Sequence, residues 1–226
     1  MQAHTKQALE DKPLEDKHPE EEPLAEKLPG DTSPEDERPD ERPDKRRRDD
    51  MPLGGKPLEP AHLRHVLGHF CTGITVITAM ENGQPPVGFA CQSFVSLSLE
   101  PPLVSFSVSR LSRSWRGIRR AGRFCVNILH AEQEPLCRRF AATGADRFAG
   151  VEWWPSPVTG SPRLAGALAW VDCTIETVYP GGDHRIAVGR VRDLDIADGE
   201  AEPLLFFLAG FRRTAPPTPS ASAPTP

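Results

Sequence analysis

Three short stretches of this chain carry side chains suited to holding a ligand. The first is residues 88–104, GFACQSFVSLSLEPPLV, in which Ser93, Ser96 and Ser98 follow a short apolar run and precede Pro101-Pro102. Serine hydroxyls donate and accept, and small side chains let backbone N–H groups come close to an anion or a heteroaromatic ring. Such serines also serve an ordinary turn or β-bulge. The second is Ser112-Arg113-Ser114, which opens a helix-like run closed by Gly122. Hydroxyls beside the first free N–H groups of a helix bind phosphate, and Arg113 adds charge; an ordinary N-cap uses the same residues. The third is Gly181-Gly182-Asp183-His184, where two glycines permit a tight turn that places an imidazole at the start of a strand.

Other chemistries lack their signatures. No GxGxxG follows a strand-like run, and neither GxxxxGK[ST] nor GxSxG occurs, so a Rossmann dehydrogenase, a P-loop enzyme and an α/β-hydrolase are excluded. No pair of acids stands out as a hydrolytic dyad. His62, His65 and His69 fall at i, i+3 and i+7 of one predicted helix, but no cysteine or carboxylate accompanies them at matching spacing. They read as a partly exposed face.

The elements that position these stretches follow from periodicity. Leu63, Val66, Leu67 and Phe70 recur at helical spacing between Pro60 and Gly73, predicting a short amphipathic helix. From residue 73 the pattern is β: residues 73–80, 87–91, 103–108, 123–129, 168–179, 185–196 and 204–208 are runs rich in β-branched or aromatic residues, bounded by Gly, Pro, Asn or Asp. Six or more strands with short helical inserts predict a closed or nearly closed antiparallel barrel, since closure removes exposed edges. Two inserts, residues 112–122 and 131–150, are expected to cap its openings.

Charge and composition set the boundaries. Residues 1–50 hold 17 acidic and 10 basic side chains against 15 and 17 in the other 176 residues, so the acidity belongs to the N-terminal segment. That segment has seven prolines and no Phe, Trp, Tyr, Ile, Val or Cys, which predicts a disordered extension over residues 1–58. One domain over residues 59–213 and a second disordered tail over 214–226 complete the division. The body's slight positive charge is too small to argue for nucleic acid, and none is expected as a partner; the Lys45–Arg48 cluster is flanked by acids. Five cysteines without a CxxC pair predict reduced thiols and a cytoplasmic protein. No apolar run reaches the roughly 20 residues of a membrane span, and no secretory signal is expected.

Together GFACQSFVSLSLEPPLV, SRSW, AGRFCVNIL, DRFAGVEW and GGDHRIAVGRV, in this order and spacing, resemble the short-chain flavin reductases of two-component flavin monooxygenases, in particular those serving hydroxylases of phenols and steroid-derived phenols. The likeness spans residues 60–211. It implies an FMN-binding split β-barrel (a Greek-key antiparallel barrel) that forms a homodimer, reduces FMN or FAD with NADH or NADPH, and passes reduced flavin by diffusion to a partner oxygenase. By position it implies that Thr72 and Gly73, as a turn, together with Cys91, Gln92, Ser93, Ser96 and Ser98, surround the isoalloxazine and ribityl chain. Ser112, Arg113 and Ser114 would meet the phosphate end with Arg123 and Phe124 nearby, and His184 would stand on the nicotinamide side. No catalytic acid or base and no metal are implied. Where relatives read TANSFTSVS this chain has ACQSFVSLS, so Ala90, Gln92 and Val95 replace Thr, Asn and Thr, and FMN against FAD stays open. A flavin- or haem-binding barrel without NAD(P)H turnover, or a barrel serving only as an interaction module, are the alternatives.

A segment without core-forming residues contributes little packing. Deleting residues 1–55 is therefore expected to leave both the melting temperature and flavin-dependent NADH oxidation unchanged; a lower melting temperature would refute the assignment of these residues as an extension.

Overall fold

The computed structural model describes residues 57–144, 146–199 and 202–214, so the predictions made for residues 1–56 and for the C-terminal tail lie outside it. Twelve strands and three α-helices are present among the described residues.

Strand β2 (Thr75–Ala79) is buried along its whole length. Ile77 and Ala79 face one apolar cluster and Val76 faces another, which makes β2 a wall between two cores. It pairs antiparallel with β3 (Val87–Cys91) on one side and β6 (Arg123–Ile128) on the other. Beyond β6 comes a long hairpin of β9 (Ala169–Gly181) and β10 (His184–Ile196), then β5 (Leu103–Ser109) and β4 (Val95–Ser98), giving the order β3-β2-β6-β9-β10-β5-β4. The two edge strands, β3 and β4, are consecutive in the chain and joined by only three residues, 92–94. The sheet must therefore curl until its edges approach, and an antiparallel split barrel results.

The barrel is filled with side chains. Phe106 packs edge-on against Phe124 at 5.1 Å and against Trp115 at 6.2 Å. A Cβ at Gly189 would stand 2.3 Å from Phe124 Cζ, so the strand passes this ring only as glycine.

Helix α2 (Arg113–Ala121) forms where expected. Ser112 Oγ accepts from Trp115 N at 3.3 Å as N-cap, and Gly122 ends the helix at φ 65°. Its Trp115 and Ile118 plug the barrel. Helix α3 (Glu134–Ala141) does not cap an opening as predicted: Cys137 and Phe140 pack on Val76, Leu129 and Leu164, outside the wall. Phe140 finds its partners there because β2 presents an apolar residue on each face. Helix α1 (Pro60–Leu67) starts at Pro60 but ends at Gly68, and Leu63, Val66 and Leu67 are left exposed by the described residues.

Other differences are local. Thr72 and Gly73 form no turn; they are strand β1 (Thr72–Gly73), paired to β11 (Leu205–Phe207), which also carries β12 (Gly210–Arg212). Residues 95–98 form an edge strand where serines pointed to a turn. The proline-bearing β7 (Trp153–Pro155) and β8 (Pro162–Leu164) make a hairpin outside the barrel. All five cysteines are free. Cys71 is exposed, whereas burial pushes Cys137 up to about 11 and Cys173 to about 12, leaving those thiols uncharged.

The hairpin is pinned by a buried carboxylate. Asp172 on β9 is fully buried and accepts from Thr159 N at 2.9 Å and from the Thr159 hydroxyl at 2.5 Å. Replacing it by alanine strands the Thr159 N–H, at a cost of about 1–3 kcal/mol for an unsatisfied buried donor, while the Thr159 hydroxyl keeps Ser161 Oγ at 2.7 Å as a partner. Asp172→Ala is expected to lower stability by at least that amount in chemical unfolding; an unchanged unfolding midpoint would show that the network contributes nothing.

Candidate functional site

Antiparallel pairing brings the three sequence-remote stretches to one end of β5. On one edge of that strand Ser93 binds Ser107 twice, its hydroxyl accepting from Ser107 N at 2.8 Å and donating to Ser107 O at 3.1 Å. On the other edge Ile186 stands opposite Ser107 and His184 opposite Ser109. One further bond, Arg110 N to Asp183 O at 3.1 Å, extends the pairing and carries the chain into Ser112 and α2. Ser93, the helix start and the GGDH turn thus converge.

Thr72 and Gly73 join the same region through β2. Thr75 pairs with Cys91, and its hydroxyl donates to Cys91 O at 3.1 Å. Gly73, Thr75 and Phe94 line a small cavity of about 110 Å³. Thr72 Oγ1 is shielded from solvent without a hydrogen-bond partner. Gln92 and Ser96 are exposed and Ser98 is half-buried. Ser98 pairs with Leu103, four residues along β5 from Ser107, or about 13 Å at strand spacing.

A larger cavity, about 340 Å³, opens beside the start of β3 and is lined by Val87, Gly88, Arg113, Ser114, Arg147 and Phe148 among others. Ser114 donates to Gly88 O at 2.8 Å and lies 2.7 Å from Arg147 Nη1. Arg147 Nη1 also donates to Gly88 O at 2.6 Å, while Nε and Nη2 reach Ala142 O at 3.0 and 2.7 Å. Burial lowers the pKa of this guanidinium by disfavouring its charged form. Sequence reading gave Arg147 no role; the only signal was its place in the DRFAGVEW motif.

Three expected site residues stand elsewhere. Arg123 sits at the C-terminal end of α2, donating to Asn82 Oδ1 at 2.7 Å and Met80 O at 3.4 Å, about 13 Å of helix from Ser114. Phe124 is fully buried in the barrel, and the Cys91 thiol also faces inward. Strand alternation explains both: core demand at positions 91 and 124 takes the side chain away from the surface. The Ser112 and Ser114 hydroxyls are near the cavity but bonded to the protein.

His184 opens β10 after Gly182, which has φ 70°. Its Nδ1 lies 2.7 Å from Asp183 Oδ1, and that hydrogen bond holds the Asp183 carboxyl below its ordinary range. With Nδ1 donating, Nε2 is left for a ligand.

A family model described as "Flavin reductase like domain" matches residues 67–215. The chain belongs to this family. It is 51% identical over 158 residues to the flavin-dependent monooxygenase reductase subunit HsaB of Rhodococcus jostii (strain RHA1), covering 70% of this chain and 80% of that protein. A flavin reductase of Pseudomonas putida is 43% identical over 154 residues, covering 68% and 89%. Among solved structures, the nitrilotriacetate monooxygenase component B homologue of Mycobacterium thermoresistibile superimposes with a TM-score of 0.66 at 46% identity, covering 74% of this chain and 90% of the other. The NADH:FAD oxidoreductase SgcE6 of Streptomyces globisporus, in complex with NAD and FAD fragments, gives a TM-score of 0.66 at 36% identity, covering 74% and 100%.

Removing the His184 imidazole tests the nicotinamide side of the site. His184→Ala is expected to lower kcat/KM for NADH by roughly two- to tenfold, the worth of one hydrogen bond, while the FMN or FAD dissociation constant moves less than about twofold. Steady-state kinetics and flavin fluorescence titration on the folded variant check this; unchanged NADH kinetics would make His184 a turn residue.

Proposed function

We propose that the protein reduces FMN or FAD with NADH or NADPH and supplies the reduced flavin to a partner flavin-dependent monooxygenase. It is an NAD(P)H-dependent flavin reductase, the reductase component of a two-component system. The observation that carries this reading, beside family membership, is the convergence of Ser93, Ser112 and His184 at one end of β5.

The residues present fit an elongated ligand with a planar head and an anionic tail. At one end of β3 lie Gly73, Gln92, Ser93 and the unpartnered Thr72 hydroxyl; at the other lies the cavity bearing Arg113 and Arg147. From Gly88 to Ser93 is five residues, about 17 Å of extended chain. Flavin and nicotinamide supply the two-electron chemistry themselves, so positioning and water exclusion are the protein's share and no acid–base dyad is required. In this reading Gln92, Ser93, Ser96 and Ser98 border the ring and ribityl chain. Arg113 and the first N–H groups of α2 face the phosphate, and His184 orients the nicotinamide from the rim.

A homodimer is part of the proposal. Val95, Leu97 and Leu99 on and after β4 are 53%, 52% and 90% exposed, and α1 leaves Leu63, Val66 and Leu67 uncovered. Apolar surface of this kind supports a second copy. Because β4 follows Ser93 directly, that copy would border the flavin. Free buried thiols support a cytoplasmic setting, and no described helix is long and apolar enough to cross a membrane. Transfer to the oxygenase is by diffusion of reduced flavin.

Anaerobic NADH oxidation with added FMN or FAD tests the function: one NADH consumed per flavin reduced is expected. A copurifying chromophore without turnover would replace this reading with a cofactor-binding barrel. Light scattering at micromolar concentration is expected to give a dimer, and a fully active monomer would remove the dimer from the proposal.

A further inference from the structure

We infer that Arg147 is the residue by which this protein distinguishes phosphorylated flavins from riboflavin, a reading that rests on the flavin reductase function proposed above. The observation is an uncompensated charge. Arg147 donates only to neutral oxygens, those of Gly88, Ala142 and Ser114, and among the described residues no carboxylate lies within ion-pair distance of it. Its neighbour Asp146 uses Oδ1 to accept from Phe148 N at 3.0 Å. The contrast with Arg163 is direct: that buried guanidinium meets Asp193 at 2.7 Å and Asp195 at 3.4 Å. Arg190, likewise partly buried, meets Glu176 at 2.6 Å.

A cation taken partly out of water without a counter-ion is costly unless an anion arrives from elsewhere. Here the charge lines a cavity of about 340 Å³ with Arg113 and no described acid but Asp146. Four of the five N–H groups of Arg147 are bonded, which fixes the fork against β3, α2 and the end of α3 before any ligand binds. One Nη2 hydrogen and the full charge remain for the cavity. A ribityl alcohol gains little from such a charge, whereas a phosphate gains a charge-assisted hydrogen bond. FMN and FAD both carry phosphate where riboflavin has a hydroxyl, so both gain from it.

The test compares FMN, FAD and riboflavin on wild type, Arg147→Met and Arg147→Lys, reading dissociation constants by flavin fluorescence and kcat/KM from NADH oxidation. Wild type is expected to bind FMN roughly tenfold or more tighter than riboflavin, with inorganic phosphate competing against FMN. Arg147→Met should remove most of that preference and of the competition, the remainder belonging to Arg113 and the first N–H groups of α2, leaving riboflavin binding within about twofold, and Arg147→Lys should restore part of the preference. Equal wild-type affinity for FMN and riboflavin would overturn the inference, and that result needs no variant to fold. FMN and riboflavin weakening together in Arg147→Met would also overturn it, making Arg147 a structural tie between Ser114 and Gly88. Absence of NADH oxidation with every flavin would defeat the reductase reading, while the FMN to riboflavin affinity ratio still decides the role of Arg147.

Discussion

The bond pair between Ser93 and Ser107 governs the geometry of this molecule. With only residues 92–94 between the edge strands β3 and β4, the chain must leave one margin of a seven-stranded sheet and begin the other within about 14 Å. The Ser93 hydroxyl supplies what a backbone pair would: it accepts from one N–H and donates to one carbonyl of β5. A side chain thus closes a seam that strand pairing leaves open, and the ends of β3, β4 and β5 are held together. Every element proposed to touch flavin or nicotinamide is fixed relative to that seam.

Gly88 lets the wall beside the seam serve both cores. A Cβ there would lie 2.8 Å from Phe140 Cε1 and 2.9 Å from Ile77 O, so α3 seats its ring against bare backbone. The Gly88 carbonyl takes hydrogen bonds from Ser114 and Arg147. One residue therefore accommodates the outer core and anchors the start of α2 and the turn after α3, and the larger cavity lies where those elements meet. A side chain at position 88 would separate the outer core from the wall and shift Arg147 with it.

Much of this was legible in the chain, for identifiable reasons. The α2 boundaries carry strong local chemistry, Ser112 as cap and Gly122 in the left-handed region, and they form as read. The long β9–β10 hairpin is announced by Gly181-Gly182 between two apolar runs. What could not be read depends on tertiary partners. Val95–Ser98 looks like a turn because its serines are turn formers, and it is a strand because β5 offers an edge. Arg123 and Phe124 are adjacent in a recognisable motif, yet alternation sends Phe124 into the barrel while Asn82 holds Arg123 at the far end of α2. Arg147 was invisible as a site residue because nothing in its local sequence shows that its partners are all neutral.

The serines that first mark the chain as a ligand binder spend most of their hydroxyls on the protein itself: Ser93 on Ser107, Ser112 on Trp115 N, Ser114 on Gly88. Their use is to set backbone and guanidinium groups in place. A rigid polar frame suits a protein whose ligands do the redox chemistry, since two rings held at contact distance need fixed neighbours more than they need acids or bases. It also suits ligands that must leave. Reduced flavin has to be released to a second protein, and the site proposed here, with small side chains beside the ring and its strong charge confined to the phosphate end, would hold the ligand most firmly at that end. In the proposed site, release then requires breaking the charge-assisted contact at that end.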